Sequence, residues 1–390
     1  MAERRNLTEF EIVALDAEIN ASDGHPRQEL TGSQREIIAE LPEMFLRAGR
    51  TPFEALEERA HRAFFGALGQ ARAPVGTGRV LSAYSSSVAM DVVARCLRDA
   101  APRIALVHPT FDNIPDLLKA WSLELVPIEE DQLVPRELER IGGNDLDCVF
   151  ITTPNNPSGC VVGRDELAEV AEFCASRNIV LVLDTSFRGF DTRAQFDTYE
   201  LLDGTSVEYV IIEDSGKLWP TSELKLGLLA SSERNRLNLE RAMSDILLSV
   251  SPFVLLLVEA FSADAAQGGF ESLHRLIRGN RELFRRELAG ASSARVVDNG
   301  TRISVERVEL ADAASAQALW ADLRADGVHT LPCGPFHWAR PGEGEPFLRI
   351  ALGREPELVE QVARAVRGHL ETPTGGRSAP RFRREVGARR

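Results

Sequence analysis

The chain has 390 residues, 44% of them hydrophobic and 27% charged, with a formal net charge of -14 at pH 7. That is enough apolar sequence for two packed lobes and too much for a disordered chain, while the acidic balance excludes a nucleic-acid binder, which needs a basic face. No apolar run approaches the roughly 20 residues of a membrane helix, and the charged N-terminus is not followed by an apolar core of signal-peptide type.

The five cysteines, Cys96, Cys148, Cys160, Cys174 and Cys333, are scattered without a CxxC pair. Neither a zinc site nor a redox dithiol is indicated, no metal is expected, and a reducing cytoplasm fits best.

Residues 7–19 read as a helix, with Thr8 able to cap and Phe10, Val13, Ala14 and Ala17 at helical spacing. Asp23-Gly24-His25-Pro26 ends it and leaves His25 in a turn, where a solvated histidine is the commoner role. Residues 41–68 read as helical with interruptions at Pro42 and Pro52. A strand over 80–84 passes through Ser85-Ser86-Ser87 into a helix over 88–98. A helix start after a small-residue turn presents free N–H groups to an anion, although three serines alone could equally be a cap. A strand over 104–107 ends in His108-Pro109-Thr110-Phe111, followed by a helix over 114–121 and a strand over 123–127. Phe111 therefore stands at the sheet edge where open α/β folds bind ligands, either as core or stacked on a flat ring.

The strand over 148–152 runs into Thr153-Pro154-Asn155-Asn156-Pro157-Ser158-Gly159, whose prolines and glycine hold Asn156 toward the ligand edge. After a helix over 165–176, the apolar strand 179–183 delivers Asp184. A carboxylate there is costly to bury unless it meets a cation; capping a helix is its plainer use. The run 209–212 then leads through Asp214-Ser215-Gly216 to Lys217. A lysine just past a buried strand suits a Schiff base with a carbonyl cofactor. It would need a depressed pKa, which burial and a neighbouring cation provide. Lys225 is that cation or an anion receptor; the plain alternative is a turn with two solvated lysines.

Residues 244–261, interrupted near Ser251-Pro252, and 273–288 read as helices, and alternation over 295–308 opens a smaller lobe with a helix over 311–326 and a strand over 328–331. The strand 347–352 carries Arg349 among apolar neighbours, either as an internal ion pair or as a receptor for a substrate carboxylate. A helix over 355–370 closes the lobe. The expected organisation is an N-terminal helical segment (1–40), a large domain (41–290), a small domain (291–370) and a disordered basic tail (371–390).

In this order the serine turn, Phe111, Asn156, Asp184, Lys217, Lys225 and Arg349 resemble the fold-type I, aminotransferase-like enzymes that use pyridoxal 5′-phosphate (PLP). The resemblance covers roughly residues 5–370. It implies an α/β fold with a large PLP-binding domain, a mostly parallel central sheet flanked by helices, and a smaller α+β domain. Lys217 would be the Schiff-base lysine, Asp184 the partner of the pyridine nitrogen, and Asn156 a donor to the ring oxygen. Phe111 would stack on the ring, Ser86, Ser87 and Lys225 would hold the phosphate, and Arg349 would clamp the substrate α-carboxylate.

Two positions depart from an ordinary aminotransferase. Phe187 replaces the usual tyrosine three residues after the aspartate, with Ser186 taking over part of its hydrogen bonding. Asp214 replaces the usual serine three residues before the lysine, and makes sense if it faces a cationic substrate. The stretches 14–25, 84–88, 107–113, 184–191 and 213–220 resemble the PLP- and O2-dependent L-arginine oxidases/hydroxylases of antibiotic pathways. That resemblance implies L-arginine as substrate, O2 as co-substrate, a 2-oxo product partly hydroxylated at C4, and a cytoplasmic homodimer. Thr8 and Glu11 would lie on a helix closing over the substrate, Glu11 and Asp214 would bind the guanidinium, and His25 would assist water addition. An arginine 4,5-desaturase and an ordinary aminotransferase for a cationic amino acid share many of these motifs.

Overall fold

The computed structural model describes residues 6–142, 145–221 and 223–371. The basic tail expected at the C-terminus lies outside them from residue 372 onward. A short strand, β1 (Ile19–Asn20), precedes the main sheet. That sheet is built from β2 (Val80–Ala83), β3 (Arg103–His108), β4 (Glu124–Glu129), β5 (Cys148–Thr152), β6 (Val180–Asp184), β7 (Tyr209–Asp214) and β8 (Gly227–Ser231). Four more strands follow in a second sheet or its margin: β9 (Ala294–Val296), β10 (Val305–Leu310), β12 (Leu331–Pro332) and β13 (Phe347–Ala351), with β11 (Val328–His329) pairing instead with β1.

The main sheet has seven strands in the order β2-β8-β7-β6-β5-β3-β4. The five from β4 through β3, β5 and β6 to β7 are mutually parallel, whereas β8 runs against both β7 and β2. Period-two packing covers both faces: Val149, Ile151, Leu181 and Leu183 join one core, and Cys148, Phe150, Val180 and Val182 the other. Such double coverage is why these strands read as unbroken apolar runs. The smaller sheet, β12-β13-β10-β9, is antiparallel throughout. Among the described residues no single helix is long and apolar enough to cross a membrane.

Several boundaries differ from expectation for local reasons. The N-terminal helix is Leu7–Val13, shorter than expected, because the Asn20 side chain takes the Ala14 carbonyl at 2.8 Å and turns the chain into β1. The break expected near Ser251-Pro252 is present, since Pro252, lacking an N–H, begins Pro252–Asp264, but the helix before it is Leu239–Ser244 and lies earlier than expected.

Strand β8 went unread in the sequence, and it matters most for the site. Its antiparallel return sets Gly227 opposite both Asp214 and Ala83. The lysine turn after β7 and the serine turn after β2 are thereby brought side by side. The approach is tight: a Cβ on Gly227 would stand 2.2 Å from the Ser85 carbonyl carbon and 2.5 Å from the Ser86 nitrogen, both backbone atoms. We expect Gly227→Ala to lower the melting temperature by an amount equivalent to about 1–3 kcal/mol, since backbone must shift to admit the methyl. Calorimetry of the purified variant measures it, and an unchanged melting temperature would contradict the close approach.

Candidate active site

The C-terminal ends of β3, β5, β6 and β7 deliver Phe111, Asn156, Asp184 and Lys217 to one edge of the sheet. Behind Lys217, Trp219 packs edge-on to Phe64 and tilted against Phe261, so the lysine turn is anchored in the core. Gly216 admits this turn because its missing Cβ would meet Lys225 Cδ at 2.4 Å.

Asp184 is 5% exposed. Ser186 donates to its Oδ1 twice, from N–H at 3.1 Å and from Oγ at 2.5 Å. Burial pushes the Asp184 carboxyl up to about 6; Asp214 adds to the rise, while the Ser186 bonds and Lys217 oppose it.

Ser85 caps the helix Ser86–Ala100, its Oγ accepting from Val88 N–H at 3.3 Å. Ser86 Oγ donates to Asp214 Oδ2 at 2.7 Å, and Asn113 Nδ2 donates to Ser87 Oγ at 3.2 Å. Asp214 also accepts from Gly216 N–H at 2.7 Å, capping the turn that carries Lys217. Its bonds therefore run toward the serine turn, a consequence of the β8 return, and not toward Glu11.

His25 pairs with Lys225 and feels the charge of Lys217. Lys225 Nζ lies 3.0 Å from His25 Nε2 and also binds Glu223 Oε2. On the other side His25 Nδ1 is 3.6 Å from Asp23 Oδ1. A lysine ammonium donating to Nε2 leaves the ring proton on Nδ1, facing that carboxylate. The Lys217 charge and then burial hold the His25 pKa below its ordinary value, so the neutral ring is the stable form. Burial alone would raise Asp23, but the His25 hydrogen bond and the Arg354 and Arg27 guanidiniums hold it well below the usual carboxylate range. A cleft of ≈ 420 Å³, lined in part by Leu15, His25, Gly216, Glu223 and Lys225, opens beside this group.

Arg349, on β13, is fully buried. Its Nη1 donates to Asn156 Oδ1 at 3.2 Å and its Nη2 to Glu11 Oε1 at 3.3 Å and to the Ser22 carbonyl, while its guanidinium lies 5.3 Å over the Phe336 ring. Phe111 meets the same Phe336 ring edge-on at 5.8 Å. Thr8 is half-buried on the helix that carries Glu11. The structure thus gathers Asn156, Arg349 and Glu11 in one cluster, Asp184, Ser186, Asp214, Ser86 and the Lys217 turn in another, and His25 and Lys225 in a third that meets the lysine turn at Gly216.

Residues 21–366 match the family model described as aminotransferase class I and II. The chain belongs to that family. A solved structure of MppP soaked with the product 2-ketoarginine is 46% identical, at a TM-score of 0.86 over 90% of this chain and 100% of that one. Aspartate aminotransferase from Thermus thermophilus with maleate shares the fold at a TM-score of 0.73 and 14% identity, over 94% of this chain and 97% of that one. Threonine-phosphate decarboxylase of Salmonella typhimurium is 34% identical over 118 residues, 30% of each chain. Across the first curated relatives the matched stretch spans 30% to 53% of their lengths.

The donor set of this aminotransferase-family chain fits PLP. Asp184 is a buried carboxyl whose charge burial penalises, and a protonated pyridine nitrogen would stabilise that charge. Ser86 and Ser87 stand at a helix N-terminus, where phosphate is favoured, with Lys225 as cation. Asp23 and Glu223 were not singled out in the sequence. The first had a signal, an aspartate two residues before His25; the second had none, since only the fold of the loop brings it to Lys225.

Proposed function

We propose that the protein is a PLP-dependent L-arginine oxidase that consumes O2 and hydroxylates part of its product at C4. The observation that carries this reading is the 46% identity to MppP over its full length, with 2-ketoarginine as that protein's product. When bound, PLP supplies an electron sink for the substrate α-carbon.

Asp184 holds the proton on the ring nitrogen. Lys217, one turn past β7, takes the α-proton, and its charge weighs on both His25 and Asp184. Arg349 receives the α-carboxylate, and Glu11, Thr8 and Asp214 receive the guanidinium, whose planar fork suits paired carboxylates. The Leu7–Val13 helix excludes bulk water, which favours oxidation over amino transfer. In the balanced reaction, simple oxidation converts arginine, O2 and water to the 2-oxo acid, ammonia and hydrogen peroxide. Hydroxylation at C4 removes two more electrons with a second O2, which leaves as hydrogen peroxide, and the new oxygen comes from water, whose addition His25 assists.

A homodimer and a cytoplasmic site of action belong to the same reading, as does a place in specialised biosynthesis. Exposed apolar side chains such as Ile12, Val13, Phe45, Leu46 and Leu248 are surface that a second copy would cover; light scattering tests the dimer. The functional test is mass spectrometry of products from L-arginine and PLP in air, with and without ¹⁸O-labelled water. Sustained turnover without oxygen but with a 2-oxo acid acceptor would identify an aminotransferase instead.

His25 makes a pH prediction. Because its pKa lies below the ordinary 6.5, the neutral base persists as pH falls, and it is lost only below that value. The yield of ¹⁸O-labelled hydroxylated product should therefore hold at pH 6.5 and decline beneath it. His25→Gln should abolish hydroxylation at every pH while arginine is still oxidised.

A further inference from the structure

Asp112 sits at the N-cap position of the helix Asn113–Ala120, yet makes no capping bond to that helix. An aspartate there ordinarily accepts from its own second or third helical N–H. Instead Asp112 Oδ2 accepts the N–H of Leu7, 105 positions away and the first residue of the N-terminal helix, at 2.7 Å. Its other oxygen, Oδ1, is buried and has no hydrogen-bond partner among the described residues. The side chain is 5% exposed and follows directly on Phe111. Leu7 itself is fully buried, in a pocket of Leu331, Cys333 and Phe336 rimmed by Phe10, Phe111 and Phe347. One turn along the same helix, Glu11 reaches Arg349.

We propose that Asp112 is a positioning residue that docks the N-terminal helix over the site through the Leu7 N–H, setting the register in which Glu11 meets Arg349. The carboxylate is an anion placed at the positive end of a helix that is not its own, where it completes the free N–H groups and the dipole. Since Asp112 is the next residue after Phe111, the ring expected over the cofactor and the anchor of the cover are set by one loop. Holding the group there is costly: burial pushes its carboxyl up to about 7, the Leu7 and Asn113 N–H groups oppose the rise, and Asp116 and Glu11 add to it. The inference rests on the proposed reading of the helix as a cover for the arginine site.

The test uses the full-length holoenzyme and two variants. Asp112→Ala removes the acceptor; Asp112→Asn keeps an oxygen for the Leu7 N–H. Hydrogen–deuterium exchange over residues 7–13 should speed up about tenfold or more in Asp112→Ala and return most of the way in Asp112→Asn. The KM for L-arginine should rise by a similar factor in Asp112→Ala with kcat changed less, while visible cofactor absorbance and the melting profile stay near wild type. Unchanged exchange over 7–13 in Asp112→Ala overturns the proposal, as does equal loss in both variants. Exchange is read without turnover, so a docked helix in a protein that does not oxidise arginine separates failure of the functional reading from failure of this one.

Discussion

Lys217→Ala should lower L-arginine turnover by roughly 10²–10⁴-fold or more, the range for removing a positioned acid–base group, and should remove the visible absorbance of lysine-bound PLP. The expectation rests on where the lysine stands. It leaves β7 by a short turn capped by Asp214 and tied to the core through Trp219. Its charge bears on His25, Asp184 and Glu223 together. The fold should survive the change, because the turn is held by Asp214, Gly216 and Trp219 and not by the lysine side chain. Added primary amine should restore part of the turnover if proton transfer is the lost step. Wild-type rates in this variant would end the PLP reading for this chain.

Much of this site was legible before any coordinates. Strands β5, β6 and β7 are buried on both faces, so they appear as uninterrupted apolar runs, and the residues after them fall where parallel sheets bind ligands. That logic placed Asn156, Asp184 and Lys217. It could not place their cross-chain partners. The Ser86 bond to Asp214 depends on β8, a short strand running antiparallel between the two turns, and a short apolar run does not declare its direction. The sequence showed Asp214 by its position alone and gave no view of its bond to Ser86. His25 was legible as a turn residue, but not its tautomer, which follows from Lys225 at 3.0 Å on one nitrogen and Asp23 on the other. Helix ends were misjudged where side chains compete for backbone, as at Asn20 and Ala14.

The pair formed by Glu11 and Arg349, separated by 338 positions, has the largest consequence for substrate choice. Each was assigned to a different end of the substrate, yet here the two satisfy one another. Arg349 is fully buried and Glu11 only slightly exposed, so neither charge can be left alone cheaply. An amino acid whose α-carboxylate takes Arg349 displaces Glu11. If its side chain ends in a guanidinium, Glu11 gains a new partner and two charge-assisted pairs replace one. If its side chain is neutral, Glu11 is stranded, which penalises binding by roughly 2–5 kcal/mol, the usual cost of losing one partner of a buried pair. Arginine should therefore be preferred over methionine or leucine by repulsion from the empty carboxylate as much as by attraction. Glu11→Gln removes that charge. Its kcat/KM for L-arginine should fall by about 30-fold or more, while turnover of methionine should rise toward it, because a neutral amide no longer demands a cation. Asp214, bonded to Ser86, should contribute less to this discrimination than Glu11. The measurement is kcat/KM for arginine, lysine and methionine in wild type and Glu11→Gln, with PLP absorbance as the control for folding. If the variant keeps the wild-type preference for arginine over methionine, Glu11 does not select the substrate and its contact with Arg349 is structural.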